Sequence, residues 1–224
     1  MGLLTEKIST ILFDFDGVLA DTEQGRYDAY CDIFLEYGYD LRSRCVTTDL
    51  LGFTGDGFMS KYFPEIPPEH VAEMVRKRQT YFMEHLDRFC KPFPGVQQTI
   101  ADLKKNNYFL AITTANATDV VRLLLRLVGV LEYFDALCGR EICENPETKV
   151  KDYSRVPAQI NKSIEECIVI EDSLVGVVGA KRSGFRCIAF DHYKDPIMQQ
   201  QADFIVHDFN DLRKLFGLPE IDLK

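Results

Sequence analysis

The chain has no uninterrupted apolar run approaching the thickness of a bilayer, so no membrane-crossing helix is expected. Its first ten residues, MGLLTEKIST, lack the basic start and apolar stretch of a secretory signal. Gly2 stands where a myristoyl group is attached in other chains, but that signal takes Ser or Thr at position six, and Glu6 is there instead. Positive charge is scarce. With 26 basic against 35 acidic residues the net charge is −9, which disfavours nonspecific binding to nucleic acid, although a local basic pocket is compatible with it. No CxxC occurs among the seven cysteines, and His70, His85, His192 and His207 make no zinc-like spacing with them. Reduced thiols in a cytoplasmic protein are expected. Internal repeats and low-complexity tracts are absent, and QQQ at 199–201 is too short to carry meaning.

What is present is enough apolar material for a sizeable core, 46% of 224 residues. That suits one large domain or a core domain with a smaller companion. ISTILF at 8–13 is a strand candidate that ends at Asp14. Residues 22–91 then read as helical, with a first helix carrying Tyr27, Tyr30, Ile33, Phe34 and Tyr37 and stopping at Gly38. A second follows Pro67-Pro68 through Val71, Met74, Val75, Tyr81 and Phe82. KPFPGV at 91–96 makes a stiff turn back. Beyond it strands and helices alternate: a helix in VQQTIADLKKNN, a strand in YFLAIT, a helix closed near Gly129, a strand in FDALCG, a modest helix across KDYSRVPAQINKS, a strand in ECIVIE, a helix ended by Gly184, strands in FRCIAF and ADFIVH, and a last helix in FNDLRKLF. Buried strands alternating with helices predict an α/β core: a three-layer, Rossmann-like parallel sheet with helices on both faces. The expected division is a core of 1–21 and 92–224 with a helical insertion of 22–91.

In such a sheet ligands bind beyond the carboxyl ends of the strands, and polar clusters fall there. Asp14 and Asp16 stand two apart, which in extended backbone puts both side chains on one face, and Gly17 permits a tight turn behind them. Two such carboxylates repel without a counter-charge. A hard divalent cation held by oxygens resolves this, magnesium fitting best, and Glu171 and Asp172 offer further ligands. An aspartate is also a usable nucleophile. Acidic residues serving only as turn or helix caps are the alternative. Thr114 offers a hydroxyl, and Ala115 the following backbone N–H, to a phosphoryl oxygen; Thr114 as a plain helix N-cap is the competing reading, with Thr118 a rival cap. Lys149 and Lys151 flank Val150, and either can place an ammonium beside the nucleophile, or both belong to a solvated charge run.

Together DFDGVLADTE (14–23), ITTAN (112–116), ETKVKDY (147–153) and IEDSLVGVVGAKRSG (170–184) resemble the four motifs of the haloacid dehalogenase-like hydrolases. The branch is that of the phosphatases and β-phosphoglucomutase-like proteins with a helical cap after the first strand. PFPGV (92–96) resembles the return from cap to core. The third motif departs from the usual K-P-x-P-D. The resemblance implies a magnesium-dependent phosphomonoester hydrolase acting on a small phosphorylated metabolite through an aspartyl-phosphate. It assigns Asp14 as nucleophile and metal ligand and Asp16 as general acid/base with its backbone carbonyl on the metal. Thr114 takes the phosphate-binding place and Lys149 that of the motif-three lysine, with Lys151 a live substitute; Asp172 and Glu171 are on the metal side. LGFTGDGF (51–58) is similar to the cap's substrate loop, placing Gly52 and Thr54 on the substrate, unless it is only a glycine-rich turn between helices. Arg26 stands where many relatives have histidine and is a candidate to meet a second anionic group, or else an exposed helix residue. That missing histidine counts against a sugar phosphomutase, the first alternative. A non-catalytic binding or regulatory module on the same scaffold is the second. No nucleic-acid or membrane partner is expected, and the protein is expected to be a monomer or weak homodimer.

Overall fold

Six short apolar segments form one sheet in a computed structural model that describes residues 8–50, 55–145, 150–192 and 194–223. They are β1 (Thr10–Phe13), β2 (Phe109–Thr113), β3 (Ala136–Cys138), β4 (Cys167–Glu171), β5 (Arg186–Phe190) and β6 (Phe204–Val206). The order is β6-β5-β4-β1-β2-β3, and each neighbouring pair is parallel. Sequences such as TILF, FLAIT and CIVIE suit central strands because their apolar residues are buried on both faces of the sheet.

The chain divides into two compact units, Met1–Ala20 with Pro92–Lys224, and Asp21–Lys91. The second is helical: α1 (Glu23–Glu36), α2 (Gly55–Tyr62), α3 (Pro68–Glu84) and α4 (Leu86–Phe89). Its own core is aromatic, with Tyr30, Phe34, Phe58 and Phe63 in ring contact and Leu41, Met59 and Met74 filling between them. Gly25 lets α1 approach the Phe89 carbonyl, where a Cβ would stand 1.8 Å from the oxygen. As expected, α1 ends before Gly38, whose φ is +83°.

The first unit holds the sheet and α5 (Val96–Lys105), α6 (Thr118–Val128), α7 (Val156–Ile160), α8 (Leu174–Arg182), α9 (Pro196–Gln201) and α10 (Phe209–Leu215). Leu12, Ala111, Val169, Cys187 and Ala189 form one face and pack with Val156, Ile160, Val177, Ala180 and Met198 from α7, α8 and α9. The alternate residues, Phe13, Ile112, Ile170 and Phe190 among them, are buried and point to the opposite face. There Phe190 lies 5.2 Å from Phe209 of α10, and buried Arg213 ties α10 to α5 through Thr99 Oγ1 (3.3 Å) and Asp102 Oδ2 (2.8 Å). The described cysteines form no disulfide; Cys31, Cys45, Cys90, Cys138, Cys167 and Cys187 are buried thiols.

Two local expectations need correction, and one helix was not anticipated. The modest helix across 151–163 is a 3₁₀ turn, Tyr153–Arg155, followed by five-residue α7, with Pro157 in its first turn where the missing N–H is no loss. Thr118 is not a cap: it is the first residue of α6, Ala117 precedes it as N-cap, and its hydroxyl donates to Glu141. PIMQQQ, not among the predicted helices, is α9, started by Asp195, whose carboxylate accepts from the backbone N–H of Ile197 and Met198.

The strand order reverses at β1. The chain moves to β2 and β3 on one side and to β4, β5 and β6 on the other. A crevice beyond the carboxyl ends of β1, β2 and β4 is where an α/β sheet of this kind binds ligands.

Candidate active site

Register brings the acidic residues together. Phe13 of β1 pairs with Ile112 of β2 and Ile170 of β4, so Asp14, Thr113 and Glu171 occupy the next rung. The Asp14 N–H donates to the Ile170 carbonyl at 2.9 Å, continuing the ladder one step past the strand. The Asp14 side chain is buried. Its Oδ1 accepts from the Phe15 N–H at 2.7 Å and from Lys151 Nζ at 2.8 Å.

Lys151 arrives on the short antiparallel pair Cys143–Asn145 and Val150–Lys151. Its ammonium also donates to Glu171 Oε1 (2.6 Å) and to the Thr113 carbonyl (3.1 Å), so three acceptors match three N–H donors. Burial opposes its charge, but Asp14 and Glu171 outweigh that and hold it well above the usual lysine range. It is a fixed cation. Burial pushes the Asp14 carboxyl up to about 7, against the pull of Lys151 and helped by repulsion from Glu171 and Asp16.

Glu171 has no solvent exposure and takes two hydrogen bonds on each oxygen. Oε1 accepts from Lys151 and from the Tyr153 hydroxyl (2.8 Å); Oε2 accepts from Ser173 Oγ (3.0 Å) and the Ser173 N–H (3.3 Å). Ser173 Oγ in turn caps α8 by accepting the Gly176 N–H at 3.1 Å. Gly176 is where the helix passes closest, since a Cβ there would stand 2.0 Å from the Glu171 carboxyl carbon. Asp172 follows. Burial, with repulsion from Glu171 and Asp14, holds its carboxyl well above the usual range. It fits against Gly17, which has φ +71° and whose absent Cβ would lie 1.8 Å from Asp172 Oδ2. Asp14, Glu171 and Asp172 each bring an oxygen to within 4.8 Å of the others. Three carboxylates against one ammonium, in a largely dry space, leave a net charge of about −2 when all are ionised. An all-oxygen donor set of that charge fits a hard divalent cation.

On the β2 side the groups are more open. Asp16 is half-buried, and its Oδ2 accepts from Asn116 Nδ2 at 2.7 Å. Thr114 is fully buried; its Oγ1 accepts from the Asn116 N–H (3.2 Å) and Nδ2 (3.3 Å), and its own N–H donates to the Cys138 carbonyl. A ligand oxygen therefore meets the Thr114 hydroxyl only after local movement. Ala115 is half-buried, with its carbonyl accepting from Arg140 Nε at 3.3 Å. Behind the loop, the Gly17 carbonyl contacts His192 Nε2 at 2.7 Å, and the His192 ring stacks on Phe93 at 4.5 Å.

Asp14, Asp16, Thr114, Ala115, Glu171 and Asp172 thus gather at one rim, and Lys151, one of the two lysines weighed from the sequence, reaches Asp14 there. Lys149, Gly52 and Thr54 lie outside the described residues. Arg26 is half-buried on α1 in the helical unit, where it is ion-paired with Glu23 one turn earlier. Sequence reasoning missed Asn116, Tyr153, Ser173 and His192. Each sits one or two residues beyond a residue or strand already singled out, and that proximity was the available signal.

A family model described as haloacid dehalogenase-like hydrolase matches residues 11–190. The chain belongs to that family and is an enzyme of the hydrolase class. Among curated proteins it is similar to the pyrophosphatase PpaX of Halalkalibacterium halodurans, 24% identical over 215 residues, covering 95% of this chain and 98% of that protein. Among solved structures it resembles a predicted phosphoglycolate phosphatase from Haemophilus somnus, with TM-score 0.78, 18% identity, and 95% and 100% of the two chains covered. It also resembles the β-phosphoglucomutase of Clostridium difficile, with TM-score 0.67, 19% identity, and 94% and 95% covered.

Proposed function

We propose that the protein is a magnesium-dependent phosphomonoester hydrolase for a small phosphorylated metabolite, working in the cytoplasm through an aspartyl-phosphate. The observation that carries this reading is the buried contact of Lys151 with Asp14, beside Glu171 and Asp172 at the switch point of the sheet. Asp14, Asp172 and the Asp16 backbone carbonyl would hold the magnesium, with Glu171, whose acceptor sites are filled by hydrogen bonds, adding its charge beside them. When bound, the ion supplies charge neutralisation at the phosphoryl oxygens and at Asp14.

The rest follows from the chain's own groups. Asp14 attacks phosphorus as a carboxylate, in line with the leaving oxygen. Lys151, the Thr114 hydroxyl and the Ala115 N–H offset charge on the equatorial oxygens. Asp16, protonated, gives its proton to the leaving alkoxide, and as a carboxylate then takes one from the water that hydrolyses the aspartyl-phosphate. The helical unit acts as a cap that excludes water, and Arg26, Gly52 and Thr54 are its candidate substrate contacts.

The test is a panel of esters assayed for phosphate release with and without magnesium: p-nitrophenyl phosphate, sugar phosphates, nucleotides, glycolate-like acid phosphates and pyrophosphate. Asp14→Asn serves as the control. Magnesium-dependent release that Asp14→Asn abolishes is expected; full activity in that variant overturns the assignment. Conversion of glucose 1-phosphate to glucose 6-phosphate would make it a mutase. Magnesium binding without turnover of any ester would make it a non-catalytic module.

A further inference from the structure

Asn116 lies two residues past Thr114 and has its amide on Asp16, one hundred positions away in the chain. The carboxylate dictates the amide's orientation: the NH₂ group must face Oδ2, because the flipped amide would set oxygen against oxygen. The amide is itself held. Its Nδ2 also reaches Thr114 Oγ1, and its backbone N–H donates to the same oxygen. Thr114 is anchored in turn by its N–H on the Cys138 carbonyl. The Asp16 carboxyl plane is therefore referenced to the end of β2 through a short run of hydrogen bonds.

We infer that Asn116 is a positioning residue for proton transfer, its amide on Asp16 Oδ2 fixing the plane in which the carboxyl delivers its proton. The inference rests on Asp16 being the general acid proposed above. In that step the Asp14–phosphorus bond forms and the phosphorus–leaving-oxygen bond breaks. The electron pair goes to the leaving oxygen, and the Asp16 carboxyl proton moves to it. An alkoxide needs that proton; a strongly acidic phenol departs as its anion without it. A residue that only aims the acid therefore matters for one kind of ester and not the other.

The experiment compares kcat/KM, which reports the first transfer, for an alkyl phosphate turned over by the wild type and for 2,4-dinitrophenyl phosphate. Asn116→Ala removes the amide; Asn116→Leu keeps its size without a donor, so one variant stands if the other folds poorly. Both should lose about tenfold or more on the alkyl ester, part of the roughly 10²–10⁴ that a general acid supplies. On the dinitrophenyl ester they should stay within about twofold of wild type, and inhibition by inorganic phosphate should be unchanged. Equal loss on both esters, or weaker phosphate inhibition in step with the loss, overturns the inference and makes Asn116 a phosphate ligand or a structural residue. Asp16→Ala separates the two levels. If it is selective against the alkyl ester and the Asn116 variants are not, only this inference falls. If Asp16→Ala itself shows no selectivity, the general-acid reading falls and takes the inference with it.

Discussion

The two sides of the carboxylate rim are built to opposite rules. On the β4 side, Glu171, Lys151, Tyr153 and Ser173 are packed so that the ammonium meets three acceptors and the Glu171 carboxylate takes four hydrogen bonds. On the β2 side, Asp16, Ala115 and Asn116 are half-buried, and the loop that carries Ala115 and Asn116 leads directly into α6. A saturated network holds charge in place because any member that moves leaves a buried partner unpaired. A half-open set can exchange a proton or take up a ligand. The same rim carries the fixed charge on one side and the more open groups on the other, with Asp14 beside both.

The sharpest way to break this contrast is at Asp14. Asp14→Asn should lower turnover more than about 10³-fold. The variant should melt no lower than the wild type in magnesium-free buffer, since an amide carries no charge to desolvate; activity and thermal melting measured together check both halves. Lys151→Met comes next. It leaves Asp14 and Glu171 without their cation, so a stability loss of about 3–5 kcal/mol should accompany loss of activity, read by denaturant titration and phosphate release. A larger activity loss in Lys149→Met than in Lys151→Met would reverse the assignment of the lysine.

Acidity offers a third test. A carboxyl held near 7 when folded and at 3.8 when unfolded binds more protons in the native state between those values, so stability falls as pH rises across that window. Asp172 acts in the same direction. Lys151 does not alter the slope there, because its raised value adds a constant stabilisation below its unfolded value of 10.5. The magnesium-free protein should thus lose melting temperature from about pH 4 to 7. Asp14→Asn should lose much of that slope, and saturating magnesium should flatten it in the wild type. Stability that rises with pH over the same range would show that the carboxyl is not held neutral.

The smaller effects probe the saturated side. Gly176→Ala drives a methyl into Glu171, whose position four hydrogen bonds fix, and should cost roughly 1–3 kcal/mol by chemical denaturation. Tyr153→Phe removes one of those bonds and should cost about 1 kcal/mol, leaving turnover less affected than Lys151→Met does.

Much of this was legible in the sequence, for identifiable reasons. An apolar run ending in an acidic pair signals a strand end, and Asp14 and Glu171 were found because parallel sheets put such ends on one rim. The lysine was narrowed only to Lys149 or Lys151, since two residues in an extended segment share a face and spacing cannot choose between them. Tyr153, Ser173 and Asn116 were missed because their partners lie far away in the chain or belong to side-chain geometry that periodicity does not encode. α9 was missed because its start depends on one carboxylate capping two N–H groups rather than on an apolar pattern.

The pairing of β1 with β4 has a last consequence. Because Asp14 and Glu171 share a rung, the geometry of the acidic cluster is set by backbone alignment, and the crossovers between strands do not define it. Lengthening a crossover should therefore be tolerated, whereas inserting a single residue inside β4 would turn Glu171 and Asp172 to opposite sides of the sheet and dismantle the centre at a stroke. Divergence among such chains has room in the connections and almost none in the rungs.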